Sequence, residues 1–125
     1  MISGGHNPLR VLVVDDDELV LAVLHTALVR AGHSVRDATN SAMALRMLAI
    51  QPVDVMVLDA HMDGSTLDED LESIRALPNS PAIIVLSGAQ VAPELLARFG
   101  ASYLAKPVDA SVFLERVAQS VGGDE

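Results

Sequence analysis

The stretch Val53-Asp54-Val55-Met56-Val57-Leu58, followed at once by Asp59, decides how this chain folds. All but one of its residues are apolar, and it is too short for a helix. It therefore reads as a strand with apolar neighbours on both faces, the kind found in parallel sheets whose crossovers are helices. Upstream, Ser41 to Ile50 has helical spacing and Pro52 lies just beyond its end, while Ser34 to Ala38 is a weak strand. Before that, Asp17 to Ala31 is a helix with Leu19, Val20, Val23, Leu24, Ala27 and Leu28 assigned to one face. Gly32 sits where a helix ends, and Leu9 to Val14 is an apolar strand broken only by Arg10.

Downstream, Thr66-x-x-Glu69 has the form of a capping box and opens a helix carrying Leu67, Leu71 and Ile74, with Pro78 past its end. Ala82 to Leu86 is a strand, and Pro93 to Phe99 is a short helix with proline in its first turn and Gly100 after it. Ala101 to Ala105 is the last strand. Asp109 caps a final helix bearing Val112, Phe113, Val117 and Val121. The order is strand–helix repeated five times. Right-handed crossovers leave few arrangements, and we expect an α/β doubly wound parallel sheet of order 2-1-3-4-5 with helices on both faces.

The chain has 125 residues, enough for one domain with a real core. We expect residues 1–8 to be an N-terminal extension, 9–121 the domain and 122–125 a polar tail. No apolar run approaches the ~20 residues of a membrane helix, and no secretory signal opens the chain. Cysteine is absent, which excludes disulfides and thiolate metal sites. A cytoplasmic protein is the expectation. The net charge of −9 speaks against direct nucleic-acid binding, which relies on Lys and Arg at phosphates, and fits a cation or a basic partner surface. Seven of the eight basic residues are Arg, so Lys106 is the only lysine, and the three aromatics, Phe99, Tyr103 and Phe113, fall in one short stretch.

In a 2-1-3-4-5 sheet, ligands bind outside the carboxyl ends of the strands, where the chain reverses across the sheet. Those ends carry Asp15-Asp16-Asp17, Asp59, Ser87-Gly88 and Lys106-Pro107. Taken singly, the acidic run is an ordinary helix cap, Asp59 and Ser87 are turn formers, and Lys106 is a surface charge. Together at one rim they supply carboxylates, a hydroxyl and an ammonium. Clustered carboxylates repel, a hard divalent cation such as Mg²⁺ relieves them, and a carboxylate can act as a nucleophile toward phosphorus. His6, His25 and His33 show no metal-ligand spacing and read as tail, helix and turn residues.

The chain resembles response-regulator receiver domains, with their flavodoxin-like fold, from about Leu9 to Val121. The resemblance rests on Val11-Leu-Val-Val-Asp15-Asp16, Val55-Met-Val-Leu-Asp59, Leu86-Ser87-Gly88 and Gly100-Ala-Ser-Tyr103-Leu-Ala-Lys106-Pro107. It implies that Asp59 takes a phosphoryl group from a sensor histidine kinase or histidine phosphotransfer protein and that a downstream protein reads the result. It further implies that Asp16 and Asp59 ligate Mg²⁺ directly, Asp15 largely through water, and His61 through its backbone carbonyl. Lys106 would pair with phosphoryl oxygens, Ser87 would swing to bond them, Tyr103 would rotate inward behind it, and the Lys106–Pro107 peptide would be cis. The His61 side chain, not needed by the metal, would be free to position water or shield the phosphate.

The segment Asp59-Ala-His-Met-Asp63-Gly64 departs from the family pattern, in which proline is common four residues after the phosphoacceptor. Two other functions compete. A pseudo-receiver would be a binding scaffold that never takes phosphate, against which the intact Asp15, Asp16, Asp59, Ser87 and Lys106 speak. An aspartate-nucleophile phosphatase would carry a second Asp two residues after the first, where this chain has His61. The expectation is a switch and not an enzyme.

Overall fold

The computed structural model describes residues 8–122, so nearly all of the expected extension and tail lies outside the described residues. The elements run β1 (Arg10–Val14), α1 (Glu18–Arg30), β2 (Ser34–Ala38), α2 (Ser41–Ile50), β3 (Val55–Asp59), α3 (Leu67–Arg75), β4 (Ala82–Ser87), α4 (Pro93–Phe99), β5 (Ala101–Ala105) and α5 (Ala110–Gly122). The strands form one five-stranded parallel sheet of order β2-β1-β3-β4-β5, as expected. The final helix continues through Gly122, one residue into the segment expected to be tail. No helix among the described residues is long and apolar enough to cross a membrane.

β3 lies at the centre and is buried at every position because β1 and β4 flank it and helices cover both faces. Alternate side chains feed two cores. Leu12, Val14, Met56, Leu58, Ile83 and Val85 point to the face covered by α2 and α3, where Ala44, Leu48, Leu71 and Ile74 meet them. Val11, Val13, Val55, Val57, Ile84 and Leu86 point to the other face, against Leu21, Leu24 and Leu28 of α1 and Phe113 and Val117 of α5. Fully burying a side chain of this size contributes roughly 1.5–3 kcal/mol, so the two layers suffice to hold the sheet between the helices.

The helix ends follow their capping residues. The Asp17 carboxylate accepts from the Leu19 and Val20 N–H groups, and the Asn40 side chain accepts from Met43. Thr66 and Glu69 complete the capping box reciprocally. Gly32 takes φ +96° just past α1 and Gly100 takes φ +63° just past α4, a region that L side chains rarely adopt.

One expectation is corrected. The apolar face of α1 is not Leu19–Val20–Val23–Leu24–Ala27–Leu28. Leu21, Leu24 and Leu28 are buried, while Leu19 is 74% and Val23 58% exposed. At about 100° per residue, Leu21 and Leu24 bracket Leu28 on the side facing the sheet, and Leu19 and Val23 lie round the helix from them. α1 therefore carries more apolar surface than the sheet covers. At the amino ends of the strands, the opposite rim, Arg10, Asp54, Pro81, Ala82 and Val121 line a shallow groove.

Candidate functional site

Each strand-end residue is held by the sheet itself. Asp15 follows β1 and its N–H donates to the Ala38 carbonyl at 3.1 Å; Asp59 still pairs in register with Leu86; the Lys106 N–H donates to the Ser87 carbonyl at 2.8 Å. The backbone thus carries Asp15, Asp59, Ser87 and Lys106 to one rim before any side chain interacts. The Lys106–Pro107 peptide is cis, as the sequence implied.

Lys106 Nζ donates to Asp15 Oδ2 at 3.1 Å and to Asp59 Oδ1 at 3.3 Å. Asp15 and Asp59 are buried and Asp16 is exposed, yet one carboxylate oxygen from each lies within 4.8 Å of the others. Burial is the chief reason the Asp15 carboxyl sits above its usual range. The Asp59 charge adds to this, against hydrogen bonds from the Asp17 N–H and Lys106. For Lys106, partial burial disfavours the ammonium, but Asp15 and Asp59 outweigh it and hold the group above its ordinary value. Three carboxylates face one ammonium, so the rim carries a surplus of negative charge. All the side-chain donors to a cation would be oxygens, the set a hard divalent ion takes.

The hydroxyl of Ser87 is fully buried and bonds the loop after β4: it donates to the Ala89 carbonyl at 2.7 Å and accepts from the Ala89 N–H at 3.0 Å. Tyr103, half-buried on β5, directs its hydroxyl at the same Ala89 carbonyl, 3.2 Å away. The His61 N–H donates to Asp59 Oδ1 at 3.3 Å, and the imidazole Nε2 lies 3.0 Å from Ser87 Oγ. The His61 side chain, expected to be left unused by a metal, is engaged by the Ser87 hydroxyl. After His61 the loop turns Met62 into the core, and Gly64 at φ +96° leads to the Thr66 cap. This is the path taken where the family commonly has proline. Phe113 is wholly buried under the sheet and Phe99 packs partly into the other core, which leaves Tyr103 as the aromatic at the site.

Sequence reasoning missed three features, of which only the last adjoins the site. Arg75 has no carboxylate partner among the described residues; its guanidinium donates to the Phe99 carbonyl at 2.6 Å, to Ser80 Oγ at 2.7 Å and to the Pro81 and Gly100 carbonyls, and burial lowers its pKa. Asp70 is a buried carboxylate on α3 that accepts from Ser65 Oγ at 3.2 Å. Leu19, Val20, Val23 and Leu24 form with Pro107 and Val108 an apolar groove of about 490 Å³ that runs up to Lys106. Only the groove left a trace in the sequence, as the surplus of apolar residues on α1.

A doubly wound five-stranded sheet with an acidic cluster, a hydroxyl and a lysine on one rim defines a class, the receiver domain. Residues 11–118 match the response regulator receiver domain family, and the chain belongs to it. It is 31% identical over 118 residues to the transcriptional regulatory protein GlrR of Escherichia coli, covering 90% of this chain and 26% of that protein. It is 36% identical over 123 residues to the transcriptional regulatory protein PrrA of Mycobacterium tuberculosis, covering 94% and 51%. The chain thus spans between about a quarter and a half of these relatives' length. Among solved structures, a response regulator signal receiver domain from Bermanella marisrubri is 30% identical with a TM-score of 0.80, covering 90% of this chain and 98% of that one.

Proposed function

We propose that this domain is a phosphoacceptor switch that takes a phosphoryl group onto Asp59 from a phosphohistidine on a sensor histidine kinase or histidine phosphotransfer protein. The observation that carries the reading is the buried Asp59 carboxylate held 3.3 Å from the only lysine of the chain, beside two further aspartates. In the transfer an Asp59 oxygen attacks phosphorus, the N–P bond of the donor breaks, and its electron pair returns to the imidazole nitrogen. The product is an acyl phosphate. Such reactions depend on positioning and charge neutralisation more than on covalent assistance.

Mg²⁺ suits this oxygen donor set, with Asp16 and Asp59 as direct ligands, Asp15 acting through water, and the His61 carbonyl completing the protein's share. When bound, the ion neutralises charge on the phosphoryl oxygens. Lys106 would neutralise charge on those oxygens as well, and Asp15 keeps its ammonium in place through the 3.1 Å contact. Ser87 redirects its hydroxyl to a phosphoryl oxygen, and Tyr103 follows through the carbonyl they share at Ala89.

The groove of Leu19, Val23, Pro107 and Val108 supports a protein donor, since exposed apolar side chains beside the reacting group give a partner helix something to bury. A net charge of −9 favours a basic surface around that contact and a protein, not nucleic acid, as the target. We place this work in the cytoplasm, and we read the domain as a switch without turnover of its own. The test is to incubate the protein with Mg²⁺ and a small phosphodonor and weigh it intact. The expected result is one hydroxylamine-labile phosphoryl group on the wild type and none on Asp59→Asn. A wild-type mass that never changes would leave only a scaffold.

A further inference from the structure

We propose that the His61 imidazole is a latch on the Ser87 hydroxyl, a positioning residue that sets how readily the hydroxyl leaves its resting place for a phosphoryl group on Asp59. The inference rests on the phosphoacceptor reading above and assigns a role to a side chain that reading leaves unused.

A serine hydroxyl has one proton to give. At Ser87 it goes to the Ala89 carbonyl at 2.7 Å, and the Ala89 N–H donates back to the oxygen at 3.0 Å. The remaining neighbour, His61 Nε2 at 3.0 Å, must therefore be a donor, its ring carrying a proton on that nitrogen. The buried oxygen is thus held by one donated and two accepted hydrogen bonds.

A phosphoryl group offers only acceptors, so Ser87 can bond it only by withdrawing its proton from Ala89. The Ala89 carbonyl keeps a donor when this happens, because the Tyr103 hydroxyl, which it shares with the more distant Ser87 carbonyl at 3.4 Å, already points at it from 3.2 Å. Among the described residues His61 Nε2 has no partner but Ser87: that bond spans 26 residues and is lost when the oxygen moves. His61 is exposed, so water takes up the freed N–H and the loss is that of one neutral hydrogen bond. On the usual net worth of such a bond, the latch shifts the equilibrium of Ser87 toward rest by about 2- to 12-fold.

Beryllium fluoride with Mg²⁺ serves as the probe, a non-covalent mimic of the phosphoryl group on a carboxylate. Its midpoint of binding is read from the fluorine resonances of the bound form. Emission of Tyr103, the only tyrosine in a chain without tryptophan, reports the neighbouring switch. His61→Ala, which keeps the backbone carbonyl, should lower the midpoint by about 2- to 12-fold. His61→Gln, which keeps a side-chain N–H, should stay near the wild type. In a Ser87→Ala background the His61→Ala shift should vanish, since the latch acts through that hydroxyl. An unchanged or raised midpoint in His61→Ala overturns the latch, as does a Gln variant that behaves like Ala or a shift that survives without Ser87. A wild type that binds no beryllium fluoride and forms no acyl phosphate overturns the phosphoacceptor reading itself, which separates the two failures.

Discussion

Replacing Lys106 with methionine keeps most of the side chain's length and removes its charge, which isolates what the ammonium does for the resting protein. The two contacts lie at 3.1 and 3.3 Å, and at an effective dielectric near 20 each is worth about 5 kcal/mol of attraction. Desolvation of the buried carboxylates offsets much of that gross figure. Removing one partner of a buried pair costs about 3–5 kcal/mol, and with the lysine side chain still 25% exposed a discounted value at or just below the bottom of that range, about 2–3 kcal/mol, is the expectation. For a domain of this size that is roughly an 8–12 °C fall in Tm at neutral pH without metal. The Lys106 pKa is raised in the fold, so its contribution is fully present below the unfolded value near ~10.4 and is lost as pH rises through the higher folded one. Wild type and Lys106→Met should therefore differ by a constant amount across neutral pH and converge only in strong alkali. Mg²⁺ should restore part of the variant's loss, because a cation again faces Asp15 and Asp59. Thermal melts in chelator across the pH range are the assay. Equal melting points at pH 7, or a gap already closing between pH 8 and 9, would refute the reasoning.

Further outcomes follow from the same geometry. Asp15→Asn should stabilise the metal-free protein: Asp15 is raised above its unfolded value near ~3.9, so its contribution is present below that value and lost as pH rises through the folded one. The variant's advantage in melting temperature should grow through that acidic window, level off at neutral pH and disappear in saturating Mg²⁺. Leu19→Asp should slow phosphotransfer from a protein donor at least about tenfold more than labelling by a small phosphodonor, from the ~1.5–3 kcal/mol a buried leucine supplies; equal slowing would exclude the groove as a docking surface. Arg75→Ala should cost about 2–3 kcal/mol in denaturant unfolding, since the carbonyls of Phe99 and Pro81 lose a charged donor.

The sheet was readable because its evidence is local. β2, α2, α4 and β5 have the expected limits, each being a short apolar or periodic run closed by Gly, Pro or a capping side chain. β3 is displaced by two residues at its start and one at its end: Val53 is buried without joining the strand, while Asp59 still pairs with Leu86. Hydropathy cannot tell an apolar residue in a loop from one in a ladder. α1 went astray for a related reason, since its surplus apolar residues allow more than one stripe and only the packed sheet selects Leu21, Leu24 and Leu28. At the site the residue types were legible because four strand ends converge by topology alone. The bonds of His61 to Ser87 and of Arg75 to Phe99 span 26 and 24 residues and depend on side-chain rotamers, which no pattern in the chain encodes.

The shallow groove at the amino ends of the strands is lined by Arg10, which opens the first strand, and by Val121, which all but closes the last helix. The first strand therefore begins and the last helix ends at one rim, while the acidic cluster occupies the other. A module with that layout can be spliced into, or joined at either end to, a longer polypeptide without threading chain across its reactive face. A tag, fluorophore or tether joined at that rim would likewise leave the acidic cluster open to whatever meets it.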